Sequence, residues 1–536
     1  MDAFDTKANR RRLLGAGGSG FLMYALLGRE GMAQATPEFA ATPEGSYVPQ
    51  TGIEREELVI GVQGLPATLD PAQELSNVGS RVNWTPYDTL VRRDFLIGDV
   101  NVPHLATGWT RVSDTVIEFT LRDDVTFHNG DAFTADDVVY TFERLFDAAE
   151  DSPLVEAGTY FATVASVEKI DDYSVRFTTH KPDPVLLNRL ASWASWIVPK
   201  NYLETEGQEA FERGGMGTGP FRFVSFTPDD EIVMERYDDH WGDLPPVKRV
   251  VFRVIPEVAA RVTALVNNEV QLATNIPPDQ VETIASQDHV EVRDVVLSNI
   301  HVLVYNTHQP GLTDKRLRQA LNLGIDRQLL IDALWGGTAR AKQGHQFPEY
   351  GELFNADRPL TAYDPDRAKQ LVEESDYAGE ELPYQTEAGY YTLAEQAAQA
   401  IVPMWQEIGI NAVVEINDEG KSGDERIIHT WSNSSILADP EGCLVRGWGP
   451  GSATQQNYWE APEEFNALAE EARTTLDVET RYNAYQAMLD IWEDEAPGTV
   501  LYDPAEFYGV NKSVNWNPYP LYNMDLRAYN LSLNEE

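Results

Sequence analysis

Between Phe119 and Phe146 the chain reads FTLRDDVTFHNGDAFTADDVVYTFERLF, and this run admits few local structures. Phe119 and Leu121 alternate with polar neighbours, as do Val125 and Phe127, the period-2 pattern of half-buried strands. Asn129-Gly130 predicts a tight turn, because both residues tolerate positive φ. Thr134 precedes Ala135-Asp136-Asp137, a signature in which a hydroxyl caps free amides and acids sit at the helix's positive end. Val138, Phe142, Leu145 and Phe146 follow at i, i+4, i+7 and i+8, one apolar helical stripe. Strand, turn, strand and capped helix are expected in succession, which points to an α/β chain.

At 536 residues the chain is too long for one core, so two or three lobes are expected. Leu58–Val62 reads as a buried strand, followed by strands at Thr115–Phe119, Ser174–Thr178, Phe221–Phe226 and Val250–Val254. Leu317–Leu323 and Gln328–Leu334 read as helices ending at Gly336-Gly337. Leu393–Gln406 reads as a helix kinked at Pro403, with Asn411–Ile416 as the next strand. Gly214–Gly219 is followed at once by Pro220 and reads as a tight turn between closely approaching backbones.

The formal charge of −45 argues against a nucleic-acid partner, whose phosphates this surface would repel. No GxxxxGK[ST] loop, HExxH, GxSxG or CxxC occurs, so no catalytic motif competes for attention. The nine histidines are scattered and predict no multi-histidine metal site. The single cysteine, Cys443, excludes an intramolecular disulfide.

Residues 1–35 carry Asn9-Arg10-Arg11-Arg12-Leu13-Leu14, then a glycine-diluted apolar stretch, then Ala33-Gln34-Ala35. This resembles a cleavable twin-arginine export signal, too short in its apolar part to span a bilayer. No cysteine sits at the cleavage point to carry a lipid, so a free periplasmic protein is expected. Residues 36–57 read as a flexible leader rich in Pro, Thr, Ala and Glu.

Further motifs recur in order along the chain. They include Thr68-Leu69-Asp70-Pro71, Tyr87-Asp88-Thr89-Leu90-Val91, Pro103–Trp109, Gly217-Thr218-Gly219-Pro220-Phe221, Asp314–Leu321 with Ile325-Asp326-Arg327, and Tyr363–Lys369. Together with the opening segment, which fits FxLRxxVxFxxGxxxTAxDVxxxxxR, they resemble the family 5 extracellular solute-binding proteins, the peptide/nickel type that serves ABC importers.

The resemblance implies a two-lobed α/β periplasmic-binding-protein fold with a subdomain inserted in the first lobe. Lobe one is expected at 58–270, with the insertion near 80–215, and again at 500–536; lobe two spans 271–499. The outward crossing is placed near Val270–Asn275 and the return near Thr499–Tyr502. The role implied is capture of a small solute between the lobes and delivery to a membrane ABC permease, by a monomer, without cofactor or catalysis. Peptides or peptide-like compounds rank first as ligands and oligosaccharides second; a nickel chelate has no positive support. A sensory receptor of the same fold is the alternative role, and an exported hydrolase lacks any motif.

By resemblance, Trp431 lies in the segment that supplies aromatic stacking and a carboxylate for a ligand's amine, but the expected acid position is Ser434. Asp439 is the nearest acid downstream. Arg446 offers a fork for a carboxylate, and Trp448 a second ring. Arg426 is the nearest upstream arginine. Tyr305 and Asn306 end a predicted strand of lobe two. Lobe one is expected to contribute the Gly64–Asp70 loop, Tyr87 and one of Trp193 and Trp196, while Arg318 is expected to be structural.

Overall fold

The computed structural model describes residues 47–98, 100–417 and 425–535. The expected export signal, 1–35, and the leader as far as residue 46 lie outside the described residues. The remainder of the leader is pinned rather than flexible. Val48 is buried and donates its amide to Tyr529 O, and the rings of Tyr47 and Tyr529 meet at 5.6 Å. The fold therefore starts before Leu58. Among the described residues no helix is long and apolar enough to cross a membrane.

The first sheet has seven strands, ordered Val290–Val296, Ala505–Asn511, Leu272–Ala273, Arg55–Val62, Val247–Val254, Glu231–Arg236 and Phe221–Thr227. Arg55–Val62 pairs in parallel with two neighbours, which explains its unbroken apolar run from Leu58. A parallel pair needs a long crossover, and the inserted subdomain occupies the one between Val62 and Val247. The second sheet has five strands, ordered Ala412–Asn417, Leu382–Glu387, Ile428–Ser434, Asn299–Tyr305 and Gly498–Tyr502.

Two adjacent stretches of chain join these sheets. Val290–Val296 and Ala505–Asn511 pair antiparallel in the first sheet, and Asn299–Tyr305 and Gly498–Tyr502 pair antiparallel in the second. The passages are only Leu297-Ser298 and Asp503-Pro504, bonded to each other through Leu297 N–H and Pro504 O at 2.9 Å. The outward passage thus comes later than the expected Val270–Asn275, because Leu272–Ala273 and Val290–Val296 still find partners in the first sheet. The return follows Tyr502, since Gly498–Tyr502 is held by Asn299–Tyr305.

The inserted subdomain is built on an antiparallel sheet ordered Ala106–Ser113, Val116–Leu121, Ser174–Thr179 and Val164–Asp171. Helix Ala135–Phe146 lies on it with the expected capping box: Thr134 Oγ1 accepts from Asp136 N, and Asp137 accepts from Thr134 N. Such a cap is worth about 1 kcal/mol. Val138 and Phe142 are fully buried, each stabilising by about 1.5–3 kcal/mol, whereas Phe146 turns outward at 36% exposure. Val125–Phe127 is not a regular strand: only Thr126 and Ala132 bridge there, around the Asn129-Gly130 turn, where Gly130 has φ 88°.

The second lobe reaches into this subdomain. Ile436 and Leu437, just beyond strand Ile428–Ser434, are buried in the subdomain's core. Arg93 donates to Ser435 O at 3.1 Å, and Asn188 donates to Leu437 O.

Candidate ligand cleft

A cavity of about 930 Å³ opens between the inserted subdomain and the second lobe. Its floor is the second sheet. Strand alternation puts His429, Trp431 and Asn433 on one face, with Val304 opposite His429 and Val302 opposite Trp431. Val304, His429 and Trp431 reach the cavity. The short helix Leu444–Trp448 follows the Pro440–Gly442 turn and brings Arg446 to the rim of the same space.

Gly447 allows Trp431 its position. A Cβ there would lie 2.8 Å from Asn433 Nδ2 and 3.0 Å from Trp431 Cη2. Gly447→Ala is expected to displace the indole, costing about 1–3 kcal/mol. Tryptophan emission and urea unfolding measure both effects; an unchanged spectrum would count against this packing.

The opposite wall belongs to the subdomain and includes Tyr160, Thr163, Lys181 and Arg189. Arg189 is buried between Asp183 Oδ2, at 3.0 Å from its own subdomain, and Glu441 Oε1, at 3.1 Å from the second lobe. Glu441 also receives Arg473 at 3.1 Å. Burial opposes the Arg189 charge, but Asp183 and Glu441 more than offset it and hold its pKa above the ordinary value. The Asp183-Arg189-Glu441-Arg473 chain is therefore a charge-balanced clasp across the cleft, and Lys181–Glu470 at 2.5 Å is a second, exposed one.

Arg446 differs from these cations. Its Nε donates to Gly442 O at 3.0 Å and one terminal nitrogen to Asn433 Oδ1 at 3.1 Å, yet among the described residues no carboxylate pairs with it. His429, pushed down to about 3 by burial and then by Arg426, is neutral near pH 7.

The expected site residues divide sharply. Trp431 and Arg446 line the cavity, as does Arg426, which pairs with Glu387 at 3.5 Å. Asp439 is instead buried in a pair with Arg481 at 2.8 Å and caps the Pro440–Gly442 turn. Trp448 is fully buried among Trp492, His345 and Trp459. Tyr305 is buried with its hydroxyl on Asn322 Oδ1, and Asn306 spends its amide on Arg426 O and His308 N. Tyr87 is buried and donates to Leu69 O at 2.6 Å. Trp193 and Trp196 both belong to the subdomain core, and the Gly64–Asp70 loop is tied to Arg144 through Asp70. Arg318 donates to the carbonyls of Leu312, Thr313, Glu495 and Ala496, a brace between segments.

Sequence reasoning missed the far wall. Tyr160 ends a five-residue helix without a side-chain cap, which leaves no periodic signal. The basic pair His180-Lys181, beside the cavity in so acidic a chain, was the one available clue.

Residues 101–462 match the profile of the bacterial extracellular solute-binding proteins, family 5 Middle. The chain belongs to that family. This family 5 solute-binding protein is 26% identical over 500 residues to the dipeptide-binding protein of Escherichia coli K12, covering 86% of this chain and 92% of the relative. It is 27% identical over 447 residues to heme-binding protein A of Haemophilus influenzae, with 77% and 80% covered. Among solved structures, the ABC transporter-associated periplasmic binding protein DppA from Helicobacter pylori, in complex with the peptide STSA, superposes with a TM-score of 0.81 at 23% identity, covering 90% of this chain and 99% of that one. The two-lobed α/β fold of the family 5 proteins is the fold of this chain.

Proposed function

We propose that this protein is the periplasmic receptor of an ABC importer and holds a peptide or peptide-like solute in the cavity between the inserted subdomain and the second lobe. The observation that carries the reading is the cavity itself: about 930 Å³, with walls from both sides of a cleft and, in one of them, Arg446, with which no carboxylate pairs among the described residues. That volume lies in the range of small-molecule sites. Relatives named for dipeptides and tripeptides support the ligand class.

The passages Leu297-Ser298 and Asp503-Pro504 serve as the hinge, since they alone carry backbone from one large sheet to the other within the ribbon. Closing over a solute excludes water and strengthens each polar contact. No bond in the solute need be made or broken.

Thermal unfolding against di- to pentapeptides and oligosaccharides tests the reading. A solute at 100 times its dissociation constant adds about 2.7 kcal/mol, enough to raise the midpoint measurably. Peptides are expected to raise it, and Trp431→Ala to reduce the rise. Midpoints that respond to sugars alone would overturn the ligand class. Loss of solute uptake on gene deletion separates import from presentation to a chemoreceptor.

A further inference from the structure

We infer that the solute is anchored by an anionic group held jointly by Arg446 and the Tyr160 hydroxyl from opposite walls of the cleft, and that its recognition does not require a free amine. This rests on the proposal that the cavity is the solute site.

Two groups with donors to spare line the cavity from opposite walls: Arg446 has a terminal nitrogen with no hydrogen-bond partner among the described residues, its Nε and other terminal nitrogen being bonded to Gly442 and Asn433. Tyr160 is 7% exposed and lines the cavity, and among the described residues its hydroxyl has no hydrogen-bond partner. Burial holds its pKa above the ordinary value, with Arg446 acting on it in the opposite sense and Glu156 in the same sense. It therefore remains an O–H donor at neutral pH, within electrostatic reach of the Arg446 guanidinium. An arginine fork and a phenolic O–H converging on one space suit a carboxylate or another oxyanion, which accepts from both.

The lining acids complete the argument. Among the described residues there are three: Glu441 is committed to Arg189 and Arg473, and Glu470 to Lys181. Glu156 is solvent-exposed at the edge, where water screens it. Among the described residues, the enclosed part of the cavity thus presents a cation with no carboxylate partner and a free hydroxyl donor but no unpaired carboxylate for an ammonium group. Ser434, where the family resemblance led one to expect an acid, is a buried hydroxyl at the end of its strand. The ligand class that fits is an acid whose nitrogen is acylated or absent, such as an N-blocked peptide.

The test compares alanyl-leucine, N-acetyl-alanyl-leucine and N-acetyl-alanyl-leucine amide by titration calorimetry on the intact receptor. N-acetylation is expected to leave affinity within about threefold, and amidation of the carboxylate to lower it about a hundredfold. Tyr160→Phe and Arg446→Gln are each expected to cost about tenfold or more for the N-acetyl acid and little for its amide. Loss of binding on N-acetylation overturns the inference, as does tolerance of both substitutions, or silence of all three compounds at millimolar concentration. Trp431→Ala separates the two readings. If it weakens binding while Tyr160→Phe and Arg446→Gln do not, the cavity stands and the anion anchor fails; if none of the three matters, the cavity itself is not the site.

Discussion

Removing the Asp503 carboxylate is expected to destabilise the protein by about 3–5 kcal/mol. The side chain is wholly buried at the return passage between the sheets, 2.6 Å from Arg340 and 3.1 Å from Lys342. Burial pushes its pKa up to about 6 against the pull of Lys342 and Arg340, and burial lowers that of Lys342. Near pH 7 both partners are charged, and each compensates the desolvation of the other. Asp503→Ala leaves the Lys342 ammonium enclosed, with the Phe347 ring 3.6 Å away and the Gln346 carbonyl as its remaining polar contact. Asp503→Asn is expected to lose nearly as much, because shape is kept and charge is not. Adding Lys342→Met to Asp503→Asn is expected to recover part of the loss, since the stranded charge goes with it. Urea unfolding measures all three. A loss no greater than that of the exposed control Asp243→Ala would show that the hinge carboxylate has no such structural weight.

The second large effect is acid lability. Burial, the leading cause in each case, pushes His104, His345 and His429 down to about 3 and His128 and His301 to about 4, from an ordinary 6.5. Below pH 6.5 the unfolded chain takes up protons at these positions and the folded chain does not until near pH 4. Stability is therefore lost as pH falls through that window, by about 1.4 kcal/mol per pH unit for each histidine in the limit of full protonation of the unfolded form. Asp503 acts in the opposite sense. Its raised pKa means that the folded state keeps a proton below about pH 6 that the unfolded state releases, and burial raises Asp137, Asp439 and Glu506 in the same sense; these four carboxyls stand against five histidines, whose protonation in the unfolded chain begins at higher pH. The urea midpoint is expected to drop steadily from pH 7 to pH 5. His301→Phe should flatten the slope by about one proton, because burial alone shifts His301 and its neighbours are the rings of Trp335, Tyr391 and Tyr502. A midpoint constant from pH 7 to pH 5 would falsify the assignment of these imidazoles as buried and neutral.

Local grammar was legible in the sequence wherever neighbours in the chain decide the outcome. The Thr134 cap, the Val138 and Phe142 stripe, the Asn129-Gly130 turn and the Gly336 terminus of helix Arg327–Trp335 all follow from short-range rules. Phe146 fits the same stripe yet faces out at the helix's last residue, while Leu145 beside it is buried, so the stripe's edge is set by what packs against the helix and not by its period. The lobe crossing was misplaced for a related reason. Val290–Val296 carries no local sign of which lobe it joins, because the partner that decides it, Ala505–Asn511, lies far along the chain.

The cleft was legible only on one side. Trp431 and Arg446 were found, whereas Trp448, two residues beyond Arg446, turns the other way into a cluster with Trp459 and Trp492. Nothing in a five-residue helix tells which face a partner will cover. Asp439, Tyr305, Asn306 and Tyr87 are polar groups with interior partners, and a lone sequence shows the polar atom but not the partner. Tyr160 and the Asp183-Arg189 end of the clasp come from a subdomain that meets the second lobe only after folding.

The placement of Ile436 and Leu437 also governs the order in which the chain can fold. Asn188, in the subdomain, binds the Leu437 carbonyl across 249 positions of sequence. During synthesis the subdomain's strands and the helix Ala135–Phe146 emerge first, but Ile436, Leu437 and Tyr519 of their core are made only much later. Until lobe two arrives, that core keeps an apolar gap open to water and the subdomain is an incomplete folding unit. Contacts of such sequence separation slow folding and prolong the exposure of apolar surface. The subdomain is accordingly completed only when lobe two and the C-terminal return are in place, so the half-made chain passes through a stage in which its first-made part still exposes apolar surface.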